Sequence, residues 1–476
     1  KEVISSPQES NKYNRHLLSH YIQEQTAQVN KNEIEFIDFS HAVFPSQTDI
    51  GVLLDALRQA PTHFHDCIFD FGIQYSAKTP IKNVEFCRSI FLHKVSINNQ
   101  IFSENVNFSD VEFHSHAEFN STEFSGKCDF SGCKYYKKFN FFRANFHKDA
   151  QFQKTNIWEE MPKDASPQLI LNNVVNKKTL NFSGSKFWTE IQITDPRFEG
   201  GIDFSNTEFL CSTQQNFSDW DIPKNTSFKN AHFHGDVNFS SKDRDINKCN
   251  FDNAKFYKDV SFQNRKFVEK CTFNNTVFEK APDFSGSTVH KGINLRHAIF
   301  EDKSADAYDD YIALKNLMQD IGKKEDYLHF FKLAQECKYK NEKWYQTNPI
   351  NWWYRNASDY GTNYIKPLGL LGALIFIFWM LNTAIGFYVY ESCCPMTMFA
   401  SSLNFTLSET FYPLHVWRFS GEYTPQNYGQ NFLHLFEQPT GLLWFKIYVG
   451  LTSIVSISLI AFIFLGLNWH FKKKMD

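Results

Sequence analysis

The sequence predicts a mainly β protein: a β-solenoid followed by an α-helical hairpin and two transmembrane helices. Three observations carry this expectation. Aromatic residues recur at alternating steps of five and six, smaller residues stand two positions before most of them, and two long apolar runs lie near the end of the chain. A helix repeats its apolar face every 3.6 residues and a plain strand every two, so a five-to-six step sustained over a long stretch fits neither. It fits a chain that turns a corner every few residues and points one bulky side chain inward from each side.

The ladder is cleanest from Val84 to Ile157. Its rungs are Phe86, Phe91, Ile97, Phe102, Phe108, Phe113, Phe119, Phe124, Phe130, Tyr135, Phe141, Phe146, Phe152 and Ile157. Val84, Ser89, Val95, Val106, Val111, Ala117, Thr122, Cys128 and Cys133 are among the smaller residues two positions earlier. They share the face of their rung, because side chains alternate along an extended segment. The rungs return at Phe182, Phe187, Ile193, Phe198, Phe204 and Phe209, then at Phe228, Phe233 and Phe239. A last tract runs through Phe251, Phe256, Phe262, Phe267, Phe273, Phe278, Phe284, Val289, Leu295 and Phe300. At about 22 residues per coil and about 4.8 Å of rise, the repeats predict a rod some 45 Å long.

Segments such as "AEFNSTEFSGK", "FNFFRANFHKD", "CNFDNAKFYKD" and "CTFNNTVFEKA" resemble the phenylalanine-rich variant of the pentapeptide-repeat family, whose tracts read A-x-F-x-G-A-x-F-x-G. The resemblance covers roughly half the chain. It implies a right-handed, quadrilateral β-solenoid with four half-units per coil, and a bacterial protein. It implies little about function, because one fold serves unrelated roles.

The 476 residues suffice for two or three domains, and 51 of them are Phe. Burying each Phe contributes about 1.5–3 kcal/mol, so a stacked Phe core holds such a fold with little help. The net charge of −3, from 49 Lys and Arg against 52 Asp and Glu, argues against a strongly basic nucleic-acid surface and against a uniformly acidic mimic of one. Cys128, Cys133, Cys249 and Cys271 fall on small inward sites and read as buried hydrophobes, in keeping with a reducing compartment. The chain begins at Lys1 rather than Met, which reads as an imposed boundary, and its first stretch shows no secretory signal.

Taken in order, residues 1–33 form a polar segment with a short helix. The solenoid occupies 34–303, with expected insertions at 45–66, 158–179, 210–225 and 240–248. Residues 304–347 read as a capping hairpin with Ser304 as N-cap and Gly322 as a stop, covering strand edges that would otherwise lie open. Residues 348–366 read as an interfacial element, with Trp352 and Trp353 in the headgroup layer. The first span is 367–390, in which Gly369 and Ala373 offer a close helix contact. An extracytoplasmic loop fills 391–441, the second span 442–469, and a basic tail 470–476 with Lys472, Lys473 and Lys474.

Basic residues before the first span and after the second predict both termini in the cytoplasm, and the resemblance implies that the membrane is the bacterial inner one. Cys393 and Cys394 then lie on the far side, where an intersubunit disulfide is conceivable. Span, polar loop, span is also the topology of two-helix ion channels. A potassium filter needs a TVGYG-like run, and "TFYPLHVWRF" stands in its place without Gly. The pore candidates in the loop are Ser408, Glu409 and Thr410.

No nucleotide-binding loop, HExxH, GxSxG or CxxC zinc pair occurs, so no enzyme, cofactor or catalytic residue is expected. His63, His65 and Cys67 share a face if the segment is extended, which makes them the one candidate metal set, against the plainer reading of an exposed polar face. Two functions remain open. One is a membrane-anchored scaffold or sensor offering the solenoid to a macromolecular partner. The other is an oligomeric pore or degenerate, channel-like effector gated through the solenoid, for example in bacterial defence. The expected partners are membrane lipid, a protein and further copies of the chain.

Overall fold

The computed structural model describes residues 7–46, 48, 53, 57–75, 79–157, 169–212, 214–295, 297–339, 349–389, 396, 399–400, 402–403, 406–407, 410 and 451–468. They fall into two compact units, 1–337 and 338–476.

Among the described residues, forty-one strands of two or three residues, from β1 (Ile37–Asp38) to β41 (Ile299–Phe300), build the first unit. They stack as parallel sheets on four faces. Two faces carry twelve strands each, and the others are divided into six and three, and five and three. Val84 pairs with Val106, and Val106 with Cys128, so the usual step between coils is 22 residues. Twelve stacked strands make eleven steps, a solenoid of roughly 53 Å at the spacing of neighbouring strands.

The ladder forms the core. One unbroken column of rings runs Phe39, Phe64, Phe86, Phe108, Phe130, Phe152, Phe182, Phe204, Phe228, Phe251 and Phe273, with centroids 4.7–5.4 Å apart. These parallel contacts lie in the favourable range for offset rings. Edge contacts tie columns together within a coil, as between Phe119 and Phe130.

The small sites also carry hydrogen bonds. The hydroxyls of Ser89, Thr122, Thr207, Thr276 and Ser287 each donate to the rung carbonyl 25 residues earlier, those of Phe64, Ile97, Phe182, Phe251 and Phe262. Cys133 Sγ does the same to Phe108 at 2.9 Å. These thiol and hydroxyl sites therefore satisfy a buried carbonyl as well as filling space.

Corners are turned by left-handed residues. Asp110, Gly132, Asn206, Asn230, Asn253 and Asn275 all have φ between 55° and 70°, the region where Asn, Asp and Gly cost least. At Gly132 an added Cβ would come within 2.0 Å of Asp110 Oδ1. Asn230 Nδ2 donates to Asn206 Oδ1 at 2.9 Å, and Asn275 to Asn253 at 3.2 Å, so the corner column becomes an amide ladder.

The four expected insertions are mostly part of the coil. Ala150 pairs with Leu180, 30 residues on, so 158–179 adds only eight to the usual 22, and Leu169–Ile170 and Val175–Asn176 are strands. Phe209 pairs with Phe233, 24 on, so 210–225 adds two; Phe217, Trp220 and Ile222 are fully buried there. Phe233 pairs with Phe256, so 240–248 adds one, and Asp245–Ile246 is a strand. Ile37 pairs with Thr62, so 45–66 adds three; its Leu53 and Leu57 are buried, and Phe64 is already a rung. The extra residues and the Leu, Ile and Trp that share these core positions with Phe64 and Phe217 interrupt the period.

Both ends are covered. Helix α1 (Pro7–Asn30) is far longer than the short helix expected. It buries Ile22, sets Tyr21 5.5 Å from Phe39, and donates from Tyr21 Oη to the Asp38 carbonyl. At the other end α2 (Ala307–Asp320) and α3 (Lys324–Tyr339) form a hairpin. Phe300 meets Phe330 at 5.0 Å and Tyr311 at 6.1 Å, and Tyr311 Oη donates to the Asp302 carbonyl. Asp306, not Ser304, occupies the N-cap, while Gly322 ends α2 with φ 75°.

The second unit contains α4 (Pro349–Ser358), α5 (Ile365–Val389) and α6 (Leu451–Asn468). Two helices, Ile365–Ala384 within α5 and Leu451–Asn468, are long and apolar enough to cross a membrane. Trp353 Nε1 donates to Ser458 Oγ at 3.0 Å, and Ala357, Leu371, Leu459 and Ile460 make a small core. Trp352 is 48% exposed. Among the described residues an added Cβ at Gly369 meets no heavy atom within 4 Å, whereas one at Gly466 would stand 2.7 Å from Tyr364.

Candidate functional site

Three groups of polar side chains stand out. The first lies where the chain leaves the opening coil. Thr62–His63 pairs in register with Val84–Glu85 of the next coil, so His63 and Glu85 are lateral neighbours on the outer face. His65, two residues on, returns to that face. His65 Nε2 and Glu85 Oε2 are 2.8 Å apart, and His63 Nε2 lies 3.8 Å from the same oxygen. The imidazole rings of His63 and His65 stack at 5.0 Å, and Phe36 stacks on His63 at 3.6 Å. Burial pulls the His63 imidazole below its ordinary pKa, against the opposing pull of Glu85. Asp38, paired with His63 from the coil before, accepts from Ser40 N and Oγ, and those bonds hold its carboxyl below the usual range.

Cys67 does not join this group. Asp66 turns the chain with φ 57°, so Cys67 faces inward, fully buried, with Sγ 3.1 Å from the Phe39 carbonyl. The third potential ligand is Glu85, which comes from the following coil. A parallel solenoid brings residues about 22 apart side by side, a relation that spacing within one segment does not display.

The second group lines a cleft of about 430 Å³ between the last coils and α2, where Asp236, Asp259, Asp283 and Asp310 converge. Burial first, then Asp283, Asp309, Asp259 and Asp302, push the Asp310 carboxyl up to about 6.

The third belongs to the second unit. Residues 399–400, 402–403, 406–407 and 410 are helical. Ser402, Thr406 and Thr410 from this stretch are buried, as are Asn382 and Thr383 of α5. Asn382 Nδ2 donates to Thr406 Oγ1 at 2.9 Å, and the Thr383 and Ser402 hydroxyls bond at 2.6 Å. Thr410 Oγ1 donates to the Thr406 carbonyl. Ser408, Glu409, Cys393, Cys394 and the Lys472–Lys474 triplet lie outside the described residues. Asn382 and Thr383 sit inside an apolar run and gave no signal of their own in the sequence.

A scan of family models, a search of curated proteins and a search of solved structures each return no match.

Proposed function

We propose that this chain is a membrane-anchored scaffold of the pentapeptide-repeat type, which offers its solenoid to a protein partner on the cytoplasmic side of a bacterial inner membrane. The observation that carries the reading is a stripe on one outer face. The residues directly after the rungs of the second twelve-stranded sheet include Leu92, His114, Tyr136, Trp188, Leu210, His234 and Tyr257. His114 stacks on Tyr136 at 4.6 Å, His234 on Tyr257 at 4.4 Å, and Lys255 Nζ lies 4.2 Å from the Tyr257 ring centre. Leu92 and Trp188 are exposed. Rigid, amphipathic aromatic side chains are the residues that interfaces favour. The two candidate spans and the basic residues around them support the anchor and its orientation. The reading assigns no catalysis and no cofactor.

The test is a photo-crosslinking amino acid placed at 136, 188 or 257 of the full chain in cells, with 118 and 145 on other faces as controls. One protein captured from the three stripe positions and not from the controls supports the scaffold. Equal capture everywhere, or none, removes it.

A second reading, an oligomeric pore, draws on the polar bonds from Asn382 and Thr383 of α5 to Thr406 and Ser402. Polar groups within apolar spans favour a bundle interior or an aqueous path. Purified protein that remains monomeric and silent in planar bilayers would eliminate it.

A further inference from the structure

We propose that His63, His65 and Glu85 form a site for one divalent metal ion of the zinc class. Each residue offers one ligand atom, and the three atoms lie within 4.8 Å of one another. Zinc bonded at about 2.0–2.1 Å in a tetrahedron holds its ligand atoms roughly 3.3 Å apart. The Glu85 oxygen stands 2.8 Å from His65 and 3.8 Å from His63, so these two distances each change by about half an ångström, and the two imidazole nitrogens, within 4.8 Å of one another, close toward the same spacing by side-chain rotation. The register of Thr62–His63 with Val84–Glu85 fixes the two coils side by side.

The donor set selects the ion. Two imidazoles and a carboxylate suit zinc, whereas calcium and magnesium take oxygen ligands. The Glu85 carboxyl group in the set and that of Asp38, paired with His63 from the coil before, place two acidic side chains about the dication. Phe36 stacked on His63 limits the tilt of that ring. The side chains of His65 and Glu85 keep 29% and 27% of their surface exposed, which leaves a fourth position for water or for a ligand from a partner. The bound ion would pin the coil of His63 and His65 to the coil of Glu85, close to the end that α1 covers.

The test is calorimetric titration of zinc(II) into the chelator-treated full chain in detergent, for wild type, His65→Ala, Glu85→Gln and Cys67→Ser. The expected result is a site whose Kd rises at least about tenfold in His65→Ala and Glu85→Gln and is unchanged in Cys67→Ser. Circular dichroism in chelator, the same for all four, shows that the variants fold. Cobalt(II) in place of zinc should give a visible spectrum without a thiolate band dependent on Cys67. Wild-type binding that is absent, that persists unchanged in His65→Ala and Glu85→Gln, or that carries a cobalt–thiolate band lost in Cys67→Ser would overturn the assignment.

Discussion

Arg265, completely buried inside the solenoid, donates from its guanidinium to the main-chain carbonyl of Trp220, 45 residues earlier. A second nitrogen donates to the Ser218 carbonyl at 3.3 Å. Arg265 occupies the position two before Phe267, where the repeat ordinarily places a small residue. Burial draws its pKa down to about 10, opposed by Asp221 and Asp245, so the group is still charged at neutral pH. Removing such a side chain orphans two carbonyls and opens a cavity. Arg265→Ala is expected to cost about 3–5 kcal/mol, and Arg265→Met, which refills the volume but leaves both carbonyls without their donor, about 2–3 kcal/mol. Chemical denaturation of the full chain, followed by circular dichroism, separates the two.

Arg265 also shows where the sequence stops being legible. The Phe rungs state the period openly, and every Phe of the 86–130 and 251–278 tracts is buried. Elsewhere the same inward positions hold Asn176, Gln215, Trp220 or Arg265, residues that a hydrophobic pattern reads as loop. Asn176, Gln215 and Arg265 are tolerated because a backbone partner lies within reach: Lys178 O for Asn176, Thr189 O for Gln215, Ser218 O for Arg265. Such partners come from neighbouring turns and coils, and only the register reveals them. The metal candidate divides the same way. His63 and His65 are visible as neighbours in sequence, Glu85 is not, and Cys67 is turned aside by a left-handed corner at Asp66.

Buried thiols supply a second prediction. Burial pushes Cys133 and Cys271 up to about 12, far from the thiolate that alkylating agents need. Both should stay unmodified by iodoacetamide at pH 8 until the solenoid unfolds, as read by mass spectrometry of their peptides. Because Cys133 also donates to the Phe108 carbonyl, Cys133→Ser should be nearly neutral. Cys133→Val should cost about 1–2 kcal/mol for a carbonyl left without its side-chain donor.

Asp310 makes the acidic cleft sensitive to pH. Its folded pKa of about 6 lies above the ordinary 3.8, so the folded chain holds the proton more tightly than the unfolded one. Its contribution to stability is full below about pH 4 and is lost as the pH rises through 6. Asp310→Asn, which keeps the neutral form at every pH, should raise the stability at pH 7.5 by about 1 kcal/mol after allowance for solvent screening. It should leave stability at pH 4 unchanged. Denaturation midpoints of wild type and variant across that range test the sign. A gap that widens toward acid contradicts it.

The second unit is held at one point by the lack of a side chain. A Cβ on Gly466 would stand 2.7 Å from the main-chain nitrogen and the Cβ of Tyr364, which precedes α5, and 2.8 Å from its Cα. Most of these atoms are backbone, so the clash cannot be relieved by a rotamer change, and α6 must shift along or away from the start of α5. That shift would also strain the bond from Trp353 Nε1 to Ser458 Oγ, on the same helix. Gly466→Ala should therefore destabilise this unit by about 1–3 kcal/mol, and Gly466→Val by more, while the solenoid, a separate compact unit, keeps its own melting transition. Gly369→Ala is the matched control, since its added methyl meets no heavy atom within 4 Å. Two-transition thermal unfolding in detergent reads both effects. An unchanged transition of the second unit in Gly466→Val, or an equal loss in Gly369→Ala, would refute the close approach of Tyr364 to Gly466.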